Sequence, residues 1–416
     1  MTSRVRFAPR NTVHAFNPHS STTHYDDHYH RRPTLALGSA DKTSPESPRP
    51  NFLICAELGL LLRSRRLRHT NTQTLMDEIS SKLREANIPT HILGPTSTTA
   101  SSTSWTLTED LTIPRQPQDH RFGVKLVSPY FFFGPPTSSH SADDWIPLFD
   151  IVFSTLNIHF ELTTHHTCGT HIHVIPARGY WTMAEAKGLA STSLYFEGCF
   201  DALVPYYRRR SVFAKSNRHN RYMGRRNVDE CIEAINKTDS FPALAARMNW
   251  CAVDSPTGDA LGEDKDFTCE TFRWNFQALD KGGDTGRGTI EFRQPPGVTD
   301  SLEAVKWIVL VGCFARLSCA FFVMPKQTPS MEGLGKWIRY EARGCFFSRM
   351  YIEELKRMFE RADPVNPKGS SARDAEVISA DEAARLRWVE TEPPCVGRMK
   401  LKDWARHQVK RTSRVA

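Results

Sequence analysis

The chain has 416 residues, a formal net charge of +8 and ten scattered cysteines. Its length fits one large α+β domain with tails, and its mean hydropathy of −0.45 indicates that part of the chain is unstructured. Because no C-x-x-C pair occurs, the cysteines indicate reduced thiols in an intracellular protein and argue against a disulfide framework or a cysteine zinc site.

The first 50 residues are rich in Pro, Ser, Thr and His and show no sustained apolar period. This composition predicts a disordered N-terminal tail, residues 1–50. There is no secretory apolar region, which favours a cytoplasmic location. Arg4, Arg6 and Arg10 precede the first acidic residue, Asp26, so mitochondrial import stays open as an alternative.

Order is predicted to begin at an apolar run over 51–62, which indicates a first strand and contains Glu57. Apolar residues at helical spacing predict a helix over 72–87. Strands follow near 105–108 and 122–128, and a helix follows over 145–156. These elements alternate between strand and helix periods, as expected for an α+β domain.

The next segment, Cys168-Gly-Thr-His-Ile-His-Val174, places two histidines two residues apart among β-branched residues. In a strand, side chains at i and i+2 point to the same face. His171 and His173 are therefore expected to project together into one site. The alternative is a solvent-facing histidine beside one that makes only a strand-end hydrogen bond.

A helix is predicted from the capping-box spacing of Thr182 and Glu185 to about Leu203. The basic segment 208–226 is poor in apolar residues and is interpreted as a loop or short turns. A solvated basic surface would account for the charge of this segment without a functional role. The charge is not interleaved with aromatic residues, as base stacking by a nucleic-acid-binding protein requires. We therefore do not expect nucleic acid as a partner.

A pair of strands is predicted over 272–279 and 289–294. In the second, Gly288-Thr-Ile-Glu-Phe-Arg-Gln294, Glu291 and Arg293 share one face while apolar residues pack behind them. Two strands with polar pairs on one side predict a sheet whose polar face is an active site. The alternative for Glu291 and Arg293 is a structural ion pair.

The apolar segment 307–324 resembles a membrane span in hydropathy, but Arg316 lies in its middle. An arginine at a bilayer centre is costly, so a buried core helix is predicted and no membrane span. Residues 326–362 are predicted to be a helical extension. Residues 363–416 are predicted to be a mostly flexible basic tail.

The histidine and Glu-x-Arg motifs, in this order, resemble the amidoligase family found widely in fungi. That family belongs to the superfamily of carboxylate–amine ligases that includes glutamine synthetase and glutamate–cysteine ligase. The resemblance covers roughly residues 51–325, and Asp110, the strand 122–129 and Asn275 also match its order of elements. It implies a glutamine synthetase-like catalytic domain, mainly antiparallel sheet with helices packed on one face.

The resemblance also implies an activity, a set of cofactors and roles for particular residues. The activity is ATP- and Mg²⁺-dependent formation of an amide bond between a carboxylate and an amine, each a small molecule or a peptide, through an acyl phosphate. The implied residues are His171, His173, Glu291 and Arg293 for catalysis; Glu57, Glu291 and His173 for metal; and Arg208 or Arg209, Lys125 and Asn275 for nucleotide. The oligomeric state stays open.

Two departures from the family pattern concern the acids that face metal. The family's first strand carries Glu-x-Glu, whereas this chain has Glu57 and Gly59; Lys125 replaces an acid of a later strand. Replacing carboxylates by glycine and ammonium weakens a cation site. A degenerate member that binds nucleotide or an amino-acid-like ligand without turnover is therefore the main alternative, and a metal-dependent hydrolase that uses the His-x-His strand is a further one.

Overall fold

The structure is a computed structural model. It describes residues 49–93, 103–138, 140, 143–209, 211, 213–218, 220, 222–224, 226–250, 270–281, 285–320 and 329–362. The N-terminal tail predicted for 1–50, except its last two residues, and the basic tail predicted for 363–416 lie outside the described residues.

A mostly antiparallel sheet of nine strands organises the described part of the chain. The strands are β1 (Phe52–Ser64), β2 (Thr90–Ile92), β3 (Trp105–Glu109), β4 (Phe122–Val127), β5 (Phe131–Phe133), β6 (Phe160–Thr163), β7 (Thr170–Pro176), β8 (Trp274–Asn275) and β9 (Ile290–Phe292). Their order is β2-β3-β4-β1-β7-β9-β8, with β5 and β6 also paired to β1. Only the β2–β3 pairing is parallel.

The long strand β1 sets the two faces of the sheet. Its residues Ile54, Leu58 and Leu62 are fully buried in the main hydrophobic core. Glu57, one residue out of phase with them, is only partly buried. Because side chains alternate along a strand, Glu57 lies on the face opposite the core. This is why a nearly continuous apolar sequence still presents a carboxylate to the other side.

Eleven α-helices accompany the sheet within the described ranges. They are α1 (Thr72–Glu85), α2 (Ile146–His159), α3 (Met183–Tyr195), α4 (Glu197–Leu203), α5 (Tyr206–Arg209), α6 (Val228–Asn236), α7 (Phe241–Asn249), α8 (Gln277–Lys281), α9 (Ser301–Ala320), α10 (Met331–Gly344) and α11 (Arg349–Glu360). Helices α1 and α9 pack on strands of the sheet, and α2 packs on both helices. The prediction of a mixed α and β fold with a mainly antiparallel sheet is confirmed.

Helix α9 lies in the core, and its central arginine is neutralised there. Arg316 Nε donates to Glu341 Oε1 at 2.7 Å, and its Nη1 donates to the carbonyl oxygen of Pro50 at 2.6 Å and to Asn51 Oδ1 at 2.7 Å. Arg49 Nη1 donates to the other oxygen of Glu341 at 2.6 Å. We call Arg49, Arg316 and Glu341 the core cluster. None of the helices in the described ranges is long and apolar enough to cross a membrane.

Two predicted elements differ from the structure. The single helix expected from Thr182 to Leu203 is broken at Phe196 into α3 and α4. Buried Glu197 follows directly after the break. Its carboxylate accepts hydrogen bonds from Ser216 Oγ at 2.7 Å and from the backbone N–H of Asn217 at 2.8 Å. These partners lie beyond the helix and are invisible to helical periodicity.

The strand predicted over 272–279 is mostly wrong. Only Trp274 and Asn275 are strand, and α8 follows. The side chain of Asn275 accepts a hydrogen bond from the N–H of Gln277 at 3.0 Å, which ends the strand and starts the helix. Strands β5 and β6 and helices α6 and α7 were not anticipated. Seven cysteines in the described ranges are free and buried, as the reduced-thiol interpretation requires.

Candidate active site

The sheet face opposite the helices carries a cluster of polar side chains. In the register of β1 and β7, Glu57 lies beside His171. In the register of β7 and β9, His173 lies beside Glu291. Because each strand places alternate residues on one face, these pairings bring the four side chains to one place. We call them, together with Lys125 and Arg293, the site cluster.

Glu57 is at the centre of the site cluster. Its Oε2 is 2.8 Å from Lys125 Nζ and 3.4 Å from His171 Nδ1. Its Oε1 is 3.1 Å from His173 Nε2. Burial acts to raise the pKa of Glu57, but the Lys125 ammonium and the two imidazoles outweigh it and hold that pKa well below its usual range. Glu57 is therefore ionised at neutral pH.

Glu291 forms the second anionic centre. Its Oε1 is 2.6 Å from Arg293 Nη1 and 3.1 Å from His171 Nδ1. Its Oε2 accepts a hydrogen bond from Asn275 Nδ2 at 2.9 Å. Burial acts to raise the pKa of Glu291, but the Arg293 charge and His173 outweigh it and hold the pKa well below its usual range. Two ionised carboxylates thus face one another across the histidine strand.

Neighbouring carboxylates raise the pKa of two basic members of the cluster, Lys125 and His173. Burial acts to lower the pKa of Lys125, but the charges of Glu57 and Asp110 raise it above its usual value. Burial likewise acts to lower the pKa of His173, and Glu291 and Glu57 raise it. The two fixed cations, Lys125 and Arg293, therefore balance the two carboxylates.

Several polar atoms of the site cluster lack a hydrogen-bond partner among the described residues. They are His171 Nδ1, His173 Nε2 and Arg293 Nε. The two ring nitrogens lie close to carboxylate oxygens without the alignment of a hydrogen bond. Leaving buried polar atoms unpartnered is unfavourable. These atoms are thus available to form hydrogen bonds with a bound ligand.

Three of these side chains have the spacing of ligands to one divalent cation. One ligand atom each from Glu57, His171 and Glu291 lies within 4.8 Å of the other two. A cation with metal–ligand distances of about 2.0–2.6 Å spans such a gap. Carboxylates with one imidazole suit a cation such as Mg²⁺ or Mn²⁺. His171, rather than the expected His173, completes this set, while His173 Nδ1 lies 3.0 Å from Thr289 Oγ1.

Arg208 lies fully buried beside the site cluster. Its Nε donates to the carbonyl oxygen of Gln294 at 3.0 Å, and its Nη2 donates to that of Arg293 at 2.6 Å. Its Nη1 has no hydrogen-bond partner among the described residues. Burial and the nearby charge of Arg293 lower the pKa of Arg208 to about 10. A buried guanidinium with a spare donor suits an anionic ligand.

The neighbouring Arg209 is held away from the cluster. Its Nε donates to the carbonyl oxygen of Val204 at 3.1 Å, and its own carbonyl accepts from Arg273 Nη2 at 2.9 Å. The sequence could not show which of the two arginines reaches the site, because both lie in the same run of arginines. The structure brings Arg208 to the site and leaves Arg209 outside it.

A cavity of about 210 Å³ lies over the site cluster. Its wall includes Arg208, Asn275 and Gln277, and on the side nearest β3 it includes Asp110 and Thr112. Asp110 Oδ1 accepts from the N–H of Thr112 at 2.9 Å and from its hydroxyl at 2.6 Å. No role at the site was predicted for Asp110 from the sequence. The available signal was its position directly after a strand of the same sheet.

Backbone closes the position where the family pattern has a second acid. The N–H of Gly59 donates to the carbonyl oxygen of Gly169 at 2.9 Å. A Cβ on Gly59 would lie 3.0 Å from that same oxygen and 3.5 Å from Asp110 Oδ2. A Cβ on Gly297 would lie 2.5 Å from Cys168 Cβ. Three glycines thus allow three chain segments to meet, and a side chain at residue 59 would need the backbone to shift.

Comparison with known proteins supplies one family. A sequence model for the family described as a putative amidoligase enzyme matches residues 65–314, more than half of the chain. The match includes the His-x-His strand β7 and the Glu-x-Arg strand β9, although it begins after Glu57. The comparison with curated proteins gives no match.

Proposed function

Because this chain belongs to the amidoligase family, we propose that it is a ligase that forms an amide bond between a carboxylate and an amine. The proposed domain is a glutamine synthetase-like catalytic domain, with ATP as the phosphoryl donor and Mg²⁺ as the metal. The observation that carries the proposal is the meeting of two ionised carboxylates with Lys125, Arg293 and Arg208 in one cavity. Such a mixture suits a reaction among several anions.

The reaction has two balanced steps. A carboxylate oxygen of the acid substrate attacks the γ-phosphorus of ATP, so that ADP leaves and an acyl phosphate forms. The amine then attacks the acyl carbon, phosphate leaves with the C–O bond electrons, and the amine gives up a proton. Both steps bring anions together, and most of the catalytic effect must come from positioning and charge stabilisation.

The residues of this chain divide that work by charge. Arg208 and Arg293 have donors that find no hydrogen-bond partner among the described residues, so they are placed to bind phosphate or carboxylate oxygens. Glu57, His171 and Glu291 would hold one divalent cation, which would offset negative charge on the phosphate oxygens. His173 Nε2, 3.1 Å from Glu57, is placed to accept the proton of the amine.

A second candidate function is ligand binding without turnover. Lys125 already occupies one oxygen of Glu57, and backbone closes the space beside Gly59. Both features reduce the number of acids that face a cation. A degenerate member would bind nucleotide or an amino-acid-like ligand in the same cavity and release no phosphate.

Phosphate release from ATP separates the two functions. The reaction contains Mg²⁺, pooled amino acids and pooled amines, and it compares the unmodified chain with Glu291→Gln. We expect the substitution to lower the rate by at least about 100-fold, because it removes a buried charge from the site. The matched control is Glu332→Gln, on the exposed surface of α10, which should leave the rate unchanged. Equal background rates in all three proteins would favour the binding function.

A further inference from the structure

Lys125 is the residue of the site cluster whose presence most changes what the cavity can bind. Its strand neighbours Gly123 and Val127 share its face of β4, and its direct partner in the register is Gly59. Since residue 59 has no side chain, the ammonium group of Lys125 extends to the next acid, Glu57, at 2.8 Å. Its side chain remains 29% exposed and lines the cavity.

The carboxylate that Lys125 contacts is also a candidate cation ligand. Glu57 Oε2 lies 2.8 Å from the ammonium and 3.4 Å from His171 Nδ1. Glu57 and His171 belong to the set whose ligand atoms lie within 4.8 Å of one another. An ammonium and a divalent cation that share one carboxylate lie close together and repel each other. Lys125 therefore competes with the cation for Glu57.

A second acid is available to Lys125 when it leaves Glu57. Asp110 has one oxygen held by Thr112, and its Oδ2 points toward Gly59, 3.5 Å from where a Cβ would be. Asp110 lines the same cavity as Lys125. The released ammonium thus remains beside a carboxylate and inside the cavity, where it can meet an anionic group of a ligand.

We propose that Lys125 is an exchangeable cation: it neutralises Glu57 in the empty site, and when one divalent cation binds Glu57, His171 and Glu291, it turns to an anionic oxygen of the substrate. The inference rests on the proposed function only for the identity of that anion. Its consequence is that the site takes one divalent cation, with Lys125 as its second positive charge. Cation binding and anion binding are coupled, because the first supplies the donor for the second.

The test measures binding of Mn²⁺, counted by electron paramagnetic resonance, with no nucleotide present. We expect one Mn²⁺ per unmodified chain. Lys125→Met should tighten Mn²⁺ binding by at least about tenfold, because the competing charge is removed. Lys125→Arg keeps the charge and should bind Mn²⁺ as the unmodified chain does. Two bound Mn²⁺ ions, no bound Mn²⁺, or equal or weaker binding by Lys125→Met would overturn the proposal.

A second measurement tests the coupling with ATP as the probe. In the unmodified chain, saturating Mn²⁺ should tighten ATP binding. In Lys125→Met, this gain should fall by at least about tenfold, because the donor is missing. An unchanged gain would overturn the exchange. If Mn²⁺ binding follows the expected pattern but ATP is never consumed, the ligase proposal fails while the exchangeable cation stands.

Discussion

The core cluster and the site cluster are both built from acids and bases inside the same sheet-and-helix unit, yet they differ in how far their hydrogen bonds are satisfied. In the core cluster, both oxygens of Glu341 accept hydrogen bonds from arginines. Arg316 donates to three acceptors, one of which is Glu341. In the site cluster, two histidine ring nitrogens and Arg293 Nε have no hydrogen-bond partner in the described ranges.

This difference separates a structural ion pair from a binding site. A satisfied network has nothing left to offer a ligand and contributes only to the fold. An unsatisfied network costs stability in the empty protein, and a ligand that supplies the missing hydrogen-bond partners recovers that cost. Ion pairing alone, which both clusters show, says little about function. The unpartnered atoms carry the information.

The largest effect that would test this contrast is a loss of folding stability in the core cluster. Arg316→Met leaves Glu341 buried with only the partly exposed Arg49, so the free energy of unfolding should fall by about 3–5 kcal/mol. Urea denaturation followed by tryptophan fluorescence measures it. The double variant Arg316→Met with Glu341→Leu replaces the pair by apolar groups and should recover most of the loss. A loss below about 1 kcal/mol in the single variant would place the core cluster among weak surface pairs.

A ligand-dependent effect should be confined to the site cluster. With Mg²⁺ and ATP at about 100 times the dissociation constant, the unmodified chain should gain about 2.7 kcal/mol of stability. Glu291→Gln should lose this gain, because it removes a ligand of the cation and the partner of Arg293. Thermal denaturation with and without the ligands measures it.

The matched control for that experiment is Arg316→Met. It should unfold at a lower temperature but keep the full increase on adding Mg²⁺ and ATP. If Glu291→Gln retained the increase, the cluster would not bind these ligands. If Arg316→Met lost the increase while still folded, the two clusters would not be independent. The core cluster could then not be assigned to folding alone.

The smallest effect concerns Asp201, in the network behind Arg208. Asp201 Oδ1 accepts from Gln294 Nε2 at 2.5 Å and lies 3.0 Å from Arg273 Nη2. Burial raises the pKa of Asp201 to about 6 against the opposing charge of Arg273. The folded pKa thus exceeds an unfolded value of about 3.9. The carboxyl group therefore contributes most at low pH, and its contribution falls as pH rises between those two values.

Asp201→Asn should remove the loss of stability that ionisation of Asp201 causes as the pH rises. The stability of the variant relative to the unmodified chain should increase from pH 4 to pH 7, by about 1–2 kcal/mol, with the charge of Arg273 limiting the gain. Glu57 and Glu291 have lowered pKa values, so their contribution has the opposite sign and is lost as pH falls below the unfolded value. Comparing variant with unmodified chain at each pH cancels it. The free energies of unfolding are measured by urea denaturation at pH 4 and pH 7. The same difference between variant and unmodified chain at both pH values would contradict the prediction.

The sequence predicted the parts of the site that depend on strand periodicity. The alternation in β7 and β9 was enough to place His171 and Glu291 on polar faces, and their apolar neighbours identified the buried side. Glu57 lies in a nearly continuous apolar run, so only the family resemblance indicated its role. The sequence could not predict which faces meet, because register between strands distant in the chain depends on packing. The family resemblance supplied that order, and the match to residues 65–314 supports it.

What the sequence missed depends on contacts between distant segments. Arg208 differs from Arg209 only by reaching the carbonyls of Arg293 and Gln294, far along the chain. Both His171 and His173 lie beside the two carboxylates because β7 pairs with β1 on one side and with β9 on the other. The break at Phe196 depends on Glu197 finding partners after α5. Local propensity carries no record of such partners.

The pairing of β1 with strands from far along the chain has a consequence for folding. β1 is the first strand in the described ranges, while β9, which brings Glu291, is the last. Contacts between distant segments form late and slow the search for the native state. During synthesis, β7 has one bare edge until β9 emerges, and bare edges pair with other chains. We therefore expect this edge of β7 to be open to pairing with other chains until nearly the whole domain has left the ribosome.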